Sequence, residues 1–202
     1  MKTIYTKKIL IISIIAILLV IFSLIFKSSF VLNIKGLSFI TNNTKVFEVS
    51  GSHMIAGEYS FSVNLGNVND SIGKVVYKDE KNLIYISSII QGDETTGGYR
   101  IQFRSQGYYN KDYAELVSGI MHYSNDEGHF HNMAAKMTSK YRNKTYTCNV
   151  MGITGINYKD GDSFSFYIFP NEAYENKEIS FNETGIVELT VSNLYRNIWN
   201  KK

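Results

Sequence analysis

Three of the chain's four histidines, His122, His129 and His131, lie in the short stretch MHYSNDEGHFHN. The polar segment Asn125–Gly128 in the middle of this stretch has the composition of a turn, so we predict a β-hairpin. If these four residues form the turn, His122 pairs with His131. Because side chains alternate along strands, the three imidazoles then share one face. A three-residue turn would instead place His122 on the opposite face and separate the cluster.

Three imidazoles on one face suggest three interpretations. They could ligate zinc or another transition metal and leave one coordination position open. They could form a proton-sensitive patch, because an unperturbed imidazole titrates at about pH 6.5. They could also be solvated histidines at a polar hairpin tip. Asp126 and Glu127 would favour the charged imidazoles while mutual repulsion would oppose them, so the direction of any pH response stays open.

Other residue types offer little chemistry. Cys148 is the single cysteine, and its strand-like setting TYTCNVMG indicates a buried thiol, with an intermolecular disulfide as the alternative. The sequence KDGD at 159–162 is interpreted as a turn before an aromatic strand. No nucleophile elbow, glycine-rich phosphate loop or HExxH motif is present. We therefore predict no enzymatic activity and no cofactor, and an extracytoplasmic enzyme is the weakest alternative.

Strands are predicted to position these residues. Aromatic side chains make up 14% of the chain and there is one proline, a balance that favours pleated sheets. Polar and apolar residues alternate over 58–65, 99–104 and 187–192, as in half-buried antiparallel strands. Seven further strands are predicted over 45–49, 74–78, 83–90, 116–124, 129–137, 145–151 and 163–169. The expected fold is mainly β, an antiparallel barrel or sandwich, and a lipocalin-like barrel could enclose a small apolar ligand. One short helix is predicted over 108–116, with Asp112 as its N-cap.

The N-terminal region predicts a membrane anchor. Residues 9–26 read ILIISIIAILLVIFSLIF, eighteen uncharged positions that would span about 27 Å as a helix. A cleaved signal peptide is the alternative, but its apolar core is shorter, about 7–15 residues, and no small-x-small cleavage site follows. Lys2, Lys7 and Lys8 favour a cytoplasmic N-terminus. The predicted organisation is a stub (1–8), the anchor (9–26), a juxtamembrane segment (27–44) and an extracytoplasmic β domain (45–202), located at the inner (plasma) membrane.

The charge distribution excludes one class of partner. Four of the 21 basic residues flank the apolar run, and the other 17 nearly balance the 18 acidic residues. The β domain therefore lacks the basic surface that nucleic-acid binding requires.

The stretch 126–158, DEGHFHNMAAKMTSKYRNKTYTCNVMGITGINY, contains a glycine-bearing hairpin, a strand and a Lys-x-Tyr-x strand. It resembles the FidL-like family, and the layout of anchor and periplasmic domain is similar to that of the FidL-like and ToxS-like accessory proteins. The resemblance implies a non-enzymatic protein that binds and stabilises a single-pass transcriptional regulator. We therefore expect a membrane-anchored accessory or sensor module that contacts another membrane protein. The alternative is an extracytoplasmic barrel that binds a small ligand or a metal.

Overall fold

The computed structural model describes residues 14, 15, 17, 29–94, 97–125 and 127–202. The predicted anchor at 9–26 thus lies almost entirely outside the described residues. Its three described members, Ile14, Ile15 and Ile17, are helical and exposed. Across the described ranges, no helix is long and apolar enough to cross a membrane.

Strands dominate the described chain. In chain order they are β1 (Phe47–Val49), β2 (His53–Met54), β3 (Glu58–Asn64), β4 (Val75–Lys78), β5 (Leu83–Ile90), β6 (Arg100–Gln106), β7 (Tyr108–Tyr109), β8 (Tyr113–Ser118), β9 (Ile120–Asn125), β10 (Gly128–Met133), β11 (Lys136–Tyr141), β12 (Lys144–Thr147), β13 (Val150–Ile153), β14 (Ser163–Tyr167), β15 (Ile186–Ser192) and β16 (Tyr195–Lys201). The helical elements are residues 29–35, α1 (Leu37–Asn42), a 3₁₀ turn (Val68–Ser71) and α2 (Asn171–Glu175).

In the described part of the chain, all strand pairs are antiparallel and form four sheets. Sheet I has the order β1-β16-β8-β7, and β2 also pairs with β16. Sheet II has the order β12-β11-β15-β3, and sheet III the order β13-β14-β6-β5-β4. Strands β9 and β10 form a separate two-stranded sheet, which we call the histidine hairpin. Strand residues (49%) greatly outnumber helical residues (14%), so the mainly β, antiparallel prediction is confirmed.

Sheets II and III bury their apolar faces in one core. The alternation predicted for β3 is observed, with Phe61 and Val63 buried between exposed neighbours. Phe61 of sheet II meets Phe103 of sheet III edge to face at 5.9 Å, and Phe103 stacks on Phe164 at 5.0 Å. Such ring pairs fill the space between the two sheets with side chains.

The barrel alternative is wrong for the described residues. Each of the three larger sheets runs from one edge strand to another and does not close on itself. The reason is that the strands are divided among separate open sheets, so no single set of hydrogen bonds encircles the core.

The helix predicted over 108–116 is also wrong. Its residues form β7 and β8 instead, joined by a turn in which the Asn110 side-chain oxygen accepts the backbone N–H groups of Asp112 and Tyr113, each at 2.9 Å. Pairing of β8 with β16 along six residues outweighs the local helical pattern.

Two predicted strands are each interrupted by a bend. The strand predicted over 116–124 divides at Gly119, where a Cβ atom would lie 2.6 Å from the ring of Phe164. The strand predicted over 129–137 divides at Ala134 and Ala135, whose N–H groups both donate to the Gly119 carbonyl at 2.8 and 2.9 Å. These bonds cross-link the two bends, so the histidine hairpin leaves the main sheets as one unit.

A second, smaller core lies beside sheet I. Leu37 and Ile40 of α1 are fully buried against Phe47 of β1 and Trp199 of β16. Residues 37–42, within the segment predicted to be juxtamembrane, therefore pack against the β domain.

Candidate functional site

The histidine hairpin has the predicted register. Ser124 pairs with His129 and His122 pairs with His131. The turn is closed by Asn125, whose side-chain oxygen accepts the N–H groups of Glu127 at 2.8 Å and Gly128 at 3.2 Å. The structure thus brings the three predicted imidazoles together on one face of the hairpin. Asp126, predicted beside them, lies outside the described residues, and Glu127 is exposed at the tip.

Two of the three histidines belong to a hydrogen-bonded chain that ends in the interior. His122 Nε2 lies 2.8 Å from Oδ2 of Asp162, and both side chains are fully buried. His122 Nδ1 lies 3.1 Å from Nε2 of His129, and His129 Nδ1 lies 3.4 Å from the hydroxyl of Ser124. We call these four residues the imidazole chain.

The chemistry of the partners sets the direction of these bonds. An ionised Asp162 can only accept, so His122 donates its Nε2 hydrogen to it. A neutral His122 then accepts from His129 Nε2–H at its Nδ1 atom, and His129 Nδ1 accepts from the Ser124 hydroxyl. If His129 takes up a proton at Nδ1 and releases its Nε2 hydrogen to His122 Nδ1, the Ser124–His129 and His129–His122 bonds reverse, while His122 still donates to Asp162. The chain therefore forms a continuous hydrogen-bonded path from the half-buried His129 to the fully buried Asp162.

Asp162 is itself held by the core. The Ser118 hydroxyl donates to its Oδ1 at 2.7 Å, and the Ser105 N–H donates to its backbone carbonyl at 3.0 Å. The Arg104 guanidinium also donates to that carbonyl at 3.0 Å. The Ser118 and His122 bonds fill acceptor positions of the buried carboxylate, as its stability requires, and the bonds to the carbonyl fix the backbone of Asp162.

Sheet I supplies the other wall of the site. The ring of Trp199, 1% exposed, lies 5.8 Å from His122 and 6.4 Å from His129 between ring centres. The buried side chain of Asn197 accepts the His122 N–H at 2.7 Å and donates to the Ile120 carbonyl at 2.9 Å. Asn197 therefore ties the histidine hairpin to β16.

Burial controls the protonation of the outer histidines. It lowers the pKa of His129 to about 4, and repulsion from His122 and His131 acts in the same direction. The pKa of His131 is lowered by burial and by His122, while Asp162 partly opposes the shift. At neutral pH both imidazoles are uncharged, which agrees with the bond directions given above.

The metal interpretation gains no geometric support. Within the described ranges, no group of three or more His, Cys, Asp or Glu side chains is arranged to hold a metal ion. The rings of His122 and His129 lie nearly parallel, with an interplanar angle of 12°, and their facing nitrogens bond to each other. A hydrogen bond between two ring nitrogens uses the lone pair that a metal would need.

The opposite face of the histidine hairpin is apolar and partly exposed. The rings of Tyr123 and Phe130 stack there, with centres 5.7 Å apart, and Tyr123 is 36% exposed. Since side chains alternate along the strands, this aromatic pair lies directly behind the imidazoles. The imidazole chain and the aromatic pair thus occupy opposite faces of the same two strands.

Cys148 lies apart from this site. Its thiol is 6% exposed and donates to the Ile168 carbonyl, with the sulfur at 3.2 Å, and burial raises its pKa to about 12. A protonated and buried thiol is a poor nucleophile, which disfavours the intermolecular disulfide.

Cys148→Ser is expected to leave the protein a monomer on non-reducing gels and to cost about 1 kcal/mol or less, because a hydroxyl keeps the bond to Ile168 but packs less well. The wild-type thiol should react with a disulfide reagent only after urea unfolding. A dimer that disappears on adding reductant would contradict the buried-thiol interpretation.

The sequence does not predict four residues of this site: Asp162, Ser118, Asn197 and Trp199. The Asp-Gly-Asp sequence at 160–162 is a turn signal, and Tyr158 and Gly161 do form an antiparallel bridge there. Nothing local distinguishes Asp162 from a solvated turn residue.

Comparison of the chain with protein-family models, with curated proteins and with solved structures gives no match.

Proposed function

We propose that this chain is a proton-responsive accessory or sensor module, held at the membrane by the predicted anchor and acting through contact with another membrane protein. The observation that carries the proposal is the imidazole chain, which links a half-buried histidine to a buried aspartate. A solvated cluster at a hairpin tip would not need a fully buried carboxylate as its partner.

The geometry of the histidine hairpin supports the proposal that the module acts by contact with another protein. The histidine hairpin forms its own two-stranded sheet, and its outer face carries the stacked Tyr123 and Phe130 rings. Exposed aromatic side chains are enriched where proteins bind one another. Protonation would place charge behind this pair and change how the hairpin packs against Trp199. The resemblance to FidL-like and ToxS-like proteins agrees with such a role and suggests a single-pass regulator as the partner.

Site-specific crosslinking tests this proposal. A photoreactive phenylalanine analogue at Tyr123, in the full-length protein in its native membrane, is expected to give one defined protein adduct. Its yield should change about twofold between pH 7 and pH 4, the pH at which about half of His129 is protonated, equivalent to about 0.4 kcal/mol of binding free energy. The analogue at Tyr108, 44% exposed on another sheet, serves as the position control.

Matched histidine variants identify the source of the pH effect. His129→Gln should abolish the dependence of the adduct yield on pH. His53→Gln should retain it, because His53 is exposed and, among the described residues, its ring bonds only to the Gly51 carbonyl. An equal yield at both pH values, or no adduct at Tyr123, would refute the proposed function.

A further inference from the structure

A shallow cavity of about 240 Å³ lies on the outer face of sheet III, and no residue of the histidine hairpin lines it. Arg100 and Gln102 of β6 and Ser163 and Ser165 of β14 line it. These residues alternate with Ile101, Phe103, Phe164 and Phe166, which face the core. The cavity is therefore built on a rigid part of the sheet.

The polar groups on the cavity floor are satisfied by one another. Gln102 donates to the Ser163 hydroxyl at 3.1 Å and accepts from the Ser88 hydroxyl at 3.3 Å. The Thr154 and Ser163 hydroxyls lie 3.0 Å apart, and the Ser165 hydroxyl donates to the Gly152 carbonyl at 3.1 Å. The floor is thus held in a fixed arrangement.

Arg100 differs from the other cavity residues because its guanidinium has no partner among the described residues. The other three arginines of the chain form ion pairs: Arg104 with Asp160, Arg142 with Glu183, and Arg196 with Asp79 and Glu115. In the described ranges, the Arg100 guanidinium has no hydrogen bond or ion pair, and its Nε atom is buried without a partner. Its neighbours across the strands are Ile90 and Tyr167, neither of which can neutralise it.

A half-buried guanidinium without an anion is incompletely satisfied. Its planar fork of N–H donors matches the two oxygens of a carboxylate, and such bidentate pairs are among the stronger hydrogen bonds. An oxyanion is the ligand group that fits this fork best. Because the described chain supplies none at this position, the anion would come from a ligand.

The rim of the cavity indicates a second property of the ligand. Ile90 and Met151 stand on either side of the cavity, 47% and 44% exposed. Apolar side chains beside a fixed cation favour a ligand that has a hydrocarbon part as well as a charge. The volume is below the roughly 300–1,000 Å³ of sites for drug-sized ligands, so the ligand is small.

We propose that this cavity binds a small organic carboxylate, with the Arg100 guanidinium holding the carboxylate and Ile90 and Met151 contacting the apolar part. The site does not depend on the imidazole chain, and it can be tested separately from the proposed function.

Binding is measured with the full-length protein in detergent at pH 7.5 by ligand-observed NMR and by the shift in melting temperature. Hexanoate is expected to bind saturably, while hexylamine and hexanol, which lack the anion, should not. Inorganic phosphate should bind more weakly than hexanoate, because it cannot use the apolar rim. Arg100→Gln should weaken hexanoate binding at least about tenfold, the effect of losing a charge-assisted hydrogen bond.

Two further variants distinguish a loss of hexanoate binding from a loss of folding. Met151→Glu places a carboxylate at an exposed rim position and should reduce hexanoate binding while Arg100 is retained. Arg142→Gln removes the same charge from a side chain that is 64% exposed elsewhere, and binding should be unchanged. The proposal is overturned if hexanoate does not bind, if phosphate binds and hexanoate does not, or if Arg100→Gln binds hexanoate as tightly as the wild type.

Discussion

Replacing Asp162 with alanine is expected to lower the free energy of unfolding by about 3–5 kcal/mol, the usual cost of removing one partner from a buried pair of polar or charged groups. The variant loses the bonds to His122 and Ser118, at 2.8 and 2.7 Å, and leaves both donors buried without an acceptor. Urea unfolding of the full-length protein in detergent, followed by the fluorescence of Trp199, measures the change.

Two aspartate variants calibrate this result. Asp162→Asn keeps the shape and one acceptor, so its cost should be smaller than that of alanine. Asp112→Ala removes a carboxylate that is 53% exposed and 3.2 Å from Lys201, and such a surface pair contributes at most about 1 kcal/mol. If Asp162→Ala cost no more than Asp112→Ala, the buried carboxylate would not organise the site as described.

Acidification is expected to destabilise the protein through His129. Its pKa is about 4 in the folded chain, against about 6.5 when unfolded, so the folded state binds fewer protons between these values. Stability is therefore complete above about pH 6.5 and is lost as the pH falls towards about 4. The loss should be about 2 kcal/mol, after allowance for the partial exposure of the ring. His131, with its lowered pKa, contributes in the same direction.

Melting temperatures of the full-length protein between pH 7.5 and 4 measure this loss. His129→Gln should flatten the curve, whereas His53→Gln should follow the wild type. Trp199 is the single tryptophan and its ring centre lies 6.4 Å from that of His129, so its fluorescence reports the protonation of His129 before unfolding, because an imidazolium quenches indole emission. Parallel melting curves for wild type and His129→Gln would exclude His129 as the sensing group.

The local part of the site follows from the sequence. A polar turn of four residues and alternation of side chains are sufficient to place His122 opposite His131. The direction of the pH response does not follow from the sequence, because attraction to Asp126 and Glu127 opposes the mutual repulsion of the imidazoles. In the structure, burial is the largest cause of the His129 pKa shift, and it lowers the pKa.

The rest of the candidate site depends on contacts between distant parts of the chain, which the sequence does not reveal. Asp162 is 40 residues from His122, and the pairing of β14 with β6, which begins at Ser163, helps to bring its carboxylate to His122. The bend at Gly119 likewise depends on the ring of Phe164. The wrong helix over 108–116 has the same origin, since β8 is a strand because β16 pairs with it.

Sheet I also constrains the order in which the molecule can fold. Its strand β16 lies between β1 and β8, and the side chains of Ser50 and Asn200, which bond at 2.6 Å, are 150 residues apart. A chain that emerges from the N-terminal side therefore exposes β1, with an unpaired edge, until almost the whole domain has been made. Such high contact order slows folding, because the closure of a long loop precedes any gain from pairing. Fragments that stop before β16 should be substrates for chaperones and proteases rather than folded intermediates.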